Sequence, residues 1–338
     1  MSSQSSASSS SDLRTLRKGL MPQRVTRWTR IMAWASVTVH ILIVTTGGLV
    51  RLTGSGLGCP TWPMCTEDSL VPTPEMGFHG IIEFGNRTLT GLLCAVALLM
   101  FLAVWNTRGS GMRLVTPALW IGILTIVQAV VGGVTVWLEL HPAAVGIHFL
   151  ISAVLVTIAS TLLVRVLRAE PVPASPLGAS LSGRGLVLVL SLVTAVWVWV
   201  TVYVGSLTTG SGPHAGDEAS ARNGLDPELM QHLHSYPAYI LLVCAIVLVW
   251  LSVRSRIPGA GATAIGVLAL VVAQAVIGVW QSNTGLPIGL VSAHMTLSCV
   301  TIAVMTANLV VVRRGVAASR VESSPAGAGS RSGVAPVR

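Results

Sequence analysis

Three side chains capable of chemistry sit in the segment 79–87, His-Gly-Ile-Ile-Glu-Phe-Gly-Asn-Arg, inside a stretch apolar enough to cross a membrane. Glu83, Asn86 and Arg87 fall at i, i+3 and i+4, so a helix sets all three on one face and lets Glu83 pair with Arg87. A charged side chain near mid-bilayer costs about 2.5–3.5 kcal/mol on insertion scales, and a functional site is the first reading of one that is kept. The bland alternative is an ion pair that locks two helices. A buried carboxylate of this kind can accept a proton or stabilise a developing positive charge. Three histidines in later apolar stretches, His148, His234 and His294, add imidazoles that can ligate a metal.

The elements that must position these groups are membrane spans. The 338 residues are 52% hydrophobic and 10% charged, with a mean hydropathy of +0.75, far from the composition of a soluble domain. Eight apolar runs are long enough for a hydrocarbon core of about 30 Å. They cover roughly 30–52, 77–105, 115–138, 143–168, 185–207, 227–251, 261–281 and 287–312. A net charge of +9 raises the question of nucleic acid, but 18 of the 21 Lys and Arg residues lie at one end of the spans. The charge therefore follows topology, and the positive-inside rule sets both termini in the cytoplasm. The opposite end carries Glu67, Asp68, Glu75, Glu139, Asp217, Glu218, Asp226 and Glu228. The expected organisation is a disordered tail over 1–29, a first bundle over 30–168, a Pro-rich linker over 169–184, a second bundle over 185–312 and a disordered tail over 313–338.

The two halves repeat. Gln128-Ala-Val-Val-Gly132 in span three matches Gln274-Ala-Val-Ile-Gly278 in span seven, and His148 matches His294, both at an offset of 146. Spans one and five each end in Thr-Gly-Ser-Gly, and spans two and six pair Glu83 with Gln231 and Asn86 with His234. Four spans separate the copies, so they share one orientation and an axis along the membrane normal. The expected fold is an all-α polytopic membrane protein of eight helices in two pseudo-symmetric four-helix bundles, whose cores hold cofactor sites on inward-facing side chains. His234 and His294 each lie about eight residues inside one end of their spans, roughly 12 Å deep. Two imidazoles at one depth on facing helices can be axial ligands of a single haem iron; a pair of hydrogen-bonded core histidines is the alternative. The first half has His148 but only Asn86 opposite, a weak iron ligand, so its iron would be held from one side. One haem as fixed carrier and one as substrate is the natural use of such asymmetry.

Two cysteines, Cys59 and Cys65, flank Pro-Thr-Trp-Pro-Met in the loop after span one. On an oxidising face they can close a small disulfide, with a stapling and a redox role both open. Cys94, Cys244 and Cys299 fall within spans and are expected to be inert core residues. His40 is expected to be packed or hydrogen-bonded in the core, and His79, His141, His214 and His232 to lie near the acidic boundary without a ligand role.

Taken together, Arg51-Leu-Thr-Gly-Ser-Gly-Leu-Gly-Cys-Pro, Trp62-Pro-Met-Cys65, the segment Glu83 to Arg87, Gln128 with His148, and His234 with His294 resemble the haem A synthase family, in its Gram-positive form, over all eight spans. The resemblance implies oxidation of the C8 methyl group of haem O to a formyl group, with substrate haem O in the first half and haem b in the second. It implies His234 and His294 as haem b ligands, His148 as a ligand of the substrate haem, Glu83 as the essential carboxylate, and Cys59 with Cys65 as the loop pair. Haem O synthase and oxidase assembly factors are the implied partners. This chain departs from the family in having Asn86 where a histidine is usual, and in lacking the second cysteine pair found in some members. The expected course is successive two-electron oxidations of the methyl to an alcohol and then to a hydrated aldehyde that loses water. The rival readings are a two-haem cytochrome passing electrons between quinol and a partner, and a haem transporter without chemistry.

Overall fold

The structure, a computed structural model, describes residues 19–107, 114–169, 181–214 and 216–322. Its long helices are α1 (Arg27–Leu52), α2 (Gly77–Trp105), α3 (Val115–Trp137), α4 (Pro142–Leu167), α5 (Leu181–Ser211), α6 (Pro227–Arg254), α7 (Ala260–Asn283) and α8 (Ile288–Glu322). A single 3-10 turn, Pro74–Met76, leads into α2, and the described residues contain no strand. All eight helices are long and apolar enough to cross a membrane, and lipid leaves no other way to satisfy a lone segment's backbone. Local signals set the starts. Thr26 and Thr29 form a reciprocal cap on α1, His141 caps α4 with Pro142 at its first position, and Asp226 caps α6 with Pro227 in the same place.

The expected spans fall within these helices to within a residue or so. Two helices run further: α5 reaches from Leu181 to Ser211, and α8 continues to Glu322. Helix therefore occupies 313–322 and 181–184, which the sequence assigned to a tail and a linker. The rest of those segments, 1–18, 170–180 and 323–338, lies outside the described residues. The Thr-Gly-Ser-Gly copies also differ. Thr53 ends α1, with Gly54 turning out at φ +66°, whereas Thr209 donates to the Gly205 carbonyl inside α5.

Within each half, every helix packs on its sequence neighbour and the first packs on the fourth. This pattern fits two four-helix bundles, with their chains running the same way. α8 bridges the halves, packing on both α1 and α4, while α4 and α5 touch each other little. The α1/α8 seam is tight: Gly48 approaches Met295, and the Thr45 and Thr296 hydroxyls are 2.9 Å apart. At the acidic end Arg51 donates to the carbonyls of His214 (2.8 Å) and Thr209 (3.1 Å), and Gly56 N–H donates to Gly216 (2.8 Å). At the basic end Arg168 donates to the Pro258 carbonyl. The large exposed side chains are mainly Ile, Leu, Val and Trp, as expected where lipid is the solvent.

The second half contains one buried polar knot. Asn308, with no exposed surface, accepts from the Ser191 hydroxyl at 3.0 Å and donates to the Ala260 carbonyl and the Thr263 hydroxyl. It joins α8 to α5 and α7. Asn308→Ala is expected to lower resistance to thermal unfolding by about 1–2 kcal/mol, the range of interhelical polar contacts in membranes, read as a reduced midpoint in a detergent melt.

Candidate functional site

Glu83 lies six residues into α2, roughly 9 Å below its acidic end, and is buried at 5% exposure. Its Oε1 accepts from both Nε (3.0 Å) and Nη2 (2.5 Å) of Arg87, two charge-assisted bonds converging on one oxygen. Its Oε2 accepts from the backbone N–H of Cys59 at 2.6 Å. Arg87 spends its remaining donors on the loop, reaching the carbonyls of Thr61 (2.8 Å), Met64 (3.2 Å) and Cys59 (2.9 Å). The pair therefore forms within one helix and locks no second helix. It grips the loop, which the Cys59–Cys65 disulfide closes.

Gripped this way, the loop lays Trp62 on α3. The indole covers Gly133, where a Cβ would overlap it, and stacks edge-on to Trp137 at 5.4 Å. Both cysteines have no exposed surface. Gly133→Ala is expected to lift the loop and speed reduction of the disulfide by a mild thiol several-fold, read by alkylation and mass, because access limits that attack. Gly122→Ala on the same helix, with open space around it, should leave the rate unchanged.

One residue before Gly133, the same helix receives His148. A Cβ on Gly132 would come within 3.1 Å of the His148 ring. Gln128, one turn earlier, donates to the His148 carbonyl and to Ser152 Oγ, each at 2.6 Å, and so fixes the helix turn that carries the ring. The pattern recurs in the second half, where Gly278 on α7 seats His294 (3.4 Å) and Gly205 on α5 seats His234 (2.9 Å). In His148 and His294 Nδ1 is sealed from solvent without a partner, and the ring of His234 lies against the Thr201 backbone; Nε2 is the nitrogen a ligand would meet. The His234 and His294 rings are set edge-on to one another, with centroids 6.3 Å apart and planes crossing at 77°. Two metal–imidazole bonds of about 2 Å in line, with roughly 1 Å from each nitrogen to its centroid, span about 6 Å. The separation of the pair matches that span for one ion. Among the described residues no three His, Cys, Asp or Glu converge as a metal site. An ion held here would bring its other ligands with it, which suits an iron porphyrin.

Asn86, the counterpart of His234, is seated differently. Its Oδ1 accepts from Thr46 Oγ1 at 2.7 Å, and Gly47 lies beside it on α1. His40 is a core histidine, 2% exposed, donating Nδ1–H to the Ser36 carbonyl. His79 bonds Ser55, His141 caps α4, and His214 donates to the Leu286 carbonyl. Of the three span cysteines only Cys299 is buried; Cys244 is half-buried and Cys94 is exposed on the helix surface. Cys94 therefore corrects the expectation of a core position: its face of α2 packs on no neighbour.

The sequence reading missed the glycine seats, the reach of Trp62 and the anchoring by Gln128. A signal for the first existed, since a glycine stands four residues after each repeated glutamine.

The fold and these residues define an eight-helix membrane protein with imidazoles set in helix clefts and a disulfide loop clamped by the pair of buried Glu83 and partly buried Arg87. The chain belongs to the COX15-CtaA family of cytochrome oxidase assembly proteins, whose signature matches residues 30–306. It is similar to heme A synthases of Geobacillus thermodenitrificans, 29% identical over 156 residues (45% of this chain, 47% of the relative), and of Geobacillus kaustophilus, 29% over 189 residues (55% and 56%). A Bacillus cereus heme A synthase is 28% identical over 187 residues (53% and 57%). The chain spans about half the length of these relatives in each match.

Proposed function

We propose that the chain is a haem A synthase that oxidises the C8 methyl group of haem O to a formyl group, with substrate haem O in the first half and haem b in the second. The observation that carries this reading is the asymmetry of the halves. One has two imidazoles spaced for a single iron; the other has one seated imidazole and a buried carboxylate.

In this reading His234 and His294 hold haem b, which supplies one-electron transfer when bound. His148 ligates the iron of the substrate, and Asn86, held by Thr46, shapes the pocket on the other side without competing as a strong ligand. Glu83 is the catalytic carboxylate. Oε1 is taken up by two N–H groups of Arg87, but Oε2 keeps a second acceptor site beyond its bond to Cys59, so the carboxylate can take a proton or face a developing positive charge there. Arg87 positions it, and the Cys59–Cys65 loop with Trp62 shields the site from water at the acidic end. The protein lies in the cell membrane with its basic end and both termini in the cytoplasm. Haem O synthase would deliver the poorly soluble substrate, and oxidase assembly factors would receive the product.

Co-expression with haem O synthase, followed by extraction and chromatography of the bound porphyrins, tests the proposal. Haem A should appear alongside haem B. Haem B alone would overturn the synthase reading and leave an electron-carrying cytochrome.

A further inference from the structure

The seam between α4 and α5 is the loose one, and a cavity of about 580 Å³ lies there, closed behind by α8. It lies on the basic side of the imidazoles, its nearest lining residues about two helical turns away from them along α4 and α8. On α4 it is lined by Thr157, Thr161 and Arg165, spaced i, i+4 and i+8, a stripe about 12 Å long. Arg313 and Arg314 of α8 join Arg165 at its mouth, whereas Val198, Trp199 and Ile302 line its depth. The threonine hydroxyls are turned back on helix carbonyls: Thr157 on Ala153, Thr161 on Thr157, and Thr306 on Ile302. The cationic groups that line it are the guanidiniums of Arg165, Arg313 and Arg314. Nη1 of Arg314 is buried with no hydrogen-bond partner, and Arg168 stands close enough to repel it. Apart from Glu322 at the end of α8, the acids among the described residues lie at or near the opposite end.

A cavity with cationic mouth and apolar depth, opening between helices at the membrane surface, matches a two-part ligand. We propose that it binds the phosphate headgroup of an anionic phospholipid, with an acyl chain running along the α4 stripe towards Trp199. Basic pockets between spans on the cytoplasmic side recognise such headgroups, and the volume lies in the range of ligand sites. The bound lipid would fill the seam where α4 and α5 make little contact of their own. The proposal rests on the basic end facing the cytoplasmic leaflet, but not on the chain making haem A.

The test is native mass spectrometry of the full chain released from detergent after incubation with phosphatidylglycerol, phosphatidylcholine or inorganic phosphate. Phosphatidylglycerol should be retained and raise the melting midpoint, and phosphatidylcholine should not. Arg165→Gln with Arg314→Gln should weaken phosphatidylglycerol retention roughly 30-fold. Arg254→Gln, a cation stacked on Trp250 outside the cavity, should leave it unchanged. Should the double variant fail to fold, Thr161→Phe carries the same test, since it obstructs the α4 side of the cavity without altering charge and should weaken retention. Equal retention of phosphatidylcholine, unchanged binding in the cavity variants, or equal loss in Arg254→Gln would overturn the site. Stabilisation by inorganic phosphate as large as that by phosphatidylglycerol would replace the lipid with a free anion.

Discussion

A Glu83→Gln variant is expected to keep its low-spin haem spectrum while haem A output falls by about 10²–10⁴, the worth of a positioned acid–base group, with haem O or the alcohol accumulating. Both carboxylate oxygens act as acceptors. Oε1 takes two N–H groups from Arg87 and Oε2 takes that of Cys59. An amide offers one oxygen and one NH₂, so whichever way it lies, a donor meets a donor. Loss of activity could then reflect a displaced loop as well as a missing acid, and a second variant separates the two. Removing the partner of a buried charge costs up to about 3–5 kcal/mol, less for the partly exposed Arg87 that keeps its loop carbonyls, while replacing both partners is often near neutral. Glu83→Gln with Arg87→Met should therefore recover much of the melting midpoint lost in the single variant, yet stay inactive. Arg87→Lys should retain the acid but lose the forked clamp on the loop, giving an intermediate output. Normal haem A formation by Glu83→Gln would remove Glu83 from the reaction.

The spans were legible because lipid admits few solutions: a run of about 20 apolar residues must be helical, and α2, α3 and α4 fall almost where hydropathy sets them. The i, i+4 spacing of Glu83 and Arg87 likewise gave their pairing, since helix geometry alone decides it. What the pair holds was not legible. Its other partners are backbone groups 23–28 residues away in the Cys59–Cys65 loop, and no periodicity points across a turn to a carbonyl. The glycine seats show the same limit. Gly132 and Gly278 stand out only as repeat markers until the packing of α3 on α4, and of α7 on α8, brings a ring over each. Cys94 failed for a related reason: a membrane helix is apolar all round, so composition does not tell its lipid face from its packed face. The copies of Thr-Gly-Ser-Gly diverge because the first must release the chain into the clamped loop and the second need not.

Removing either His234 or His294 as alanine is expected to eliminate the low-spin haem signal completely, whereas His148→Ala should leave it intact. The 6.3 Å between the rings accommodates one ion with an imidazole on each side, and a single remaining ring gives one axial ligand and a high-spin iron. The glycine seats make the assignment testable without touching a ligand. A Cβ at Gly205 would stand 2.9 Å from His234, closer than atoms settle without movement, while one at Gly278 would stand 3.4 Å from His294, an ordinary contact. Gly205→Ala should therefore shift the spectrum or lower haem occupancy, and Gly278→Ala should be nearly silent. A structural histidine pair predicts no such order, because neither ring would then be held to a fixed metal distance. A low-spin spectrum surviving in His294→Ala would refute the pair as ligands. Equal sensitivity at the two glycines would show that ring placement is not what sets the signal.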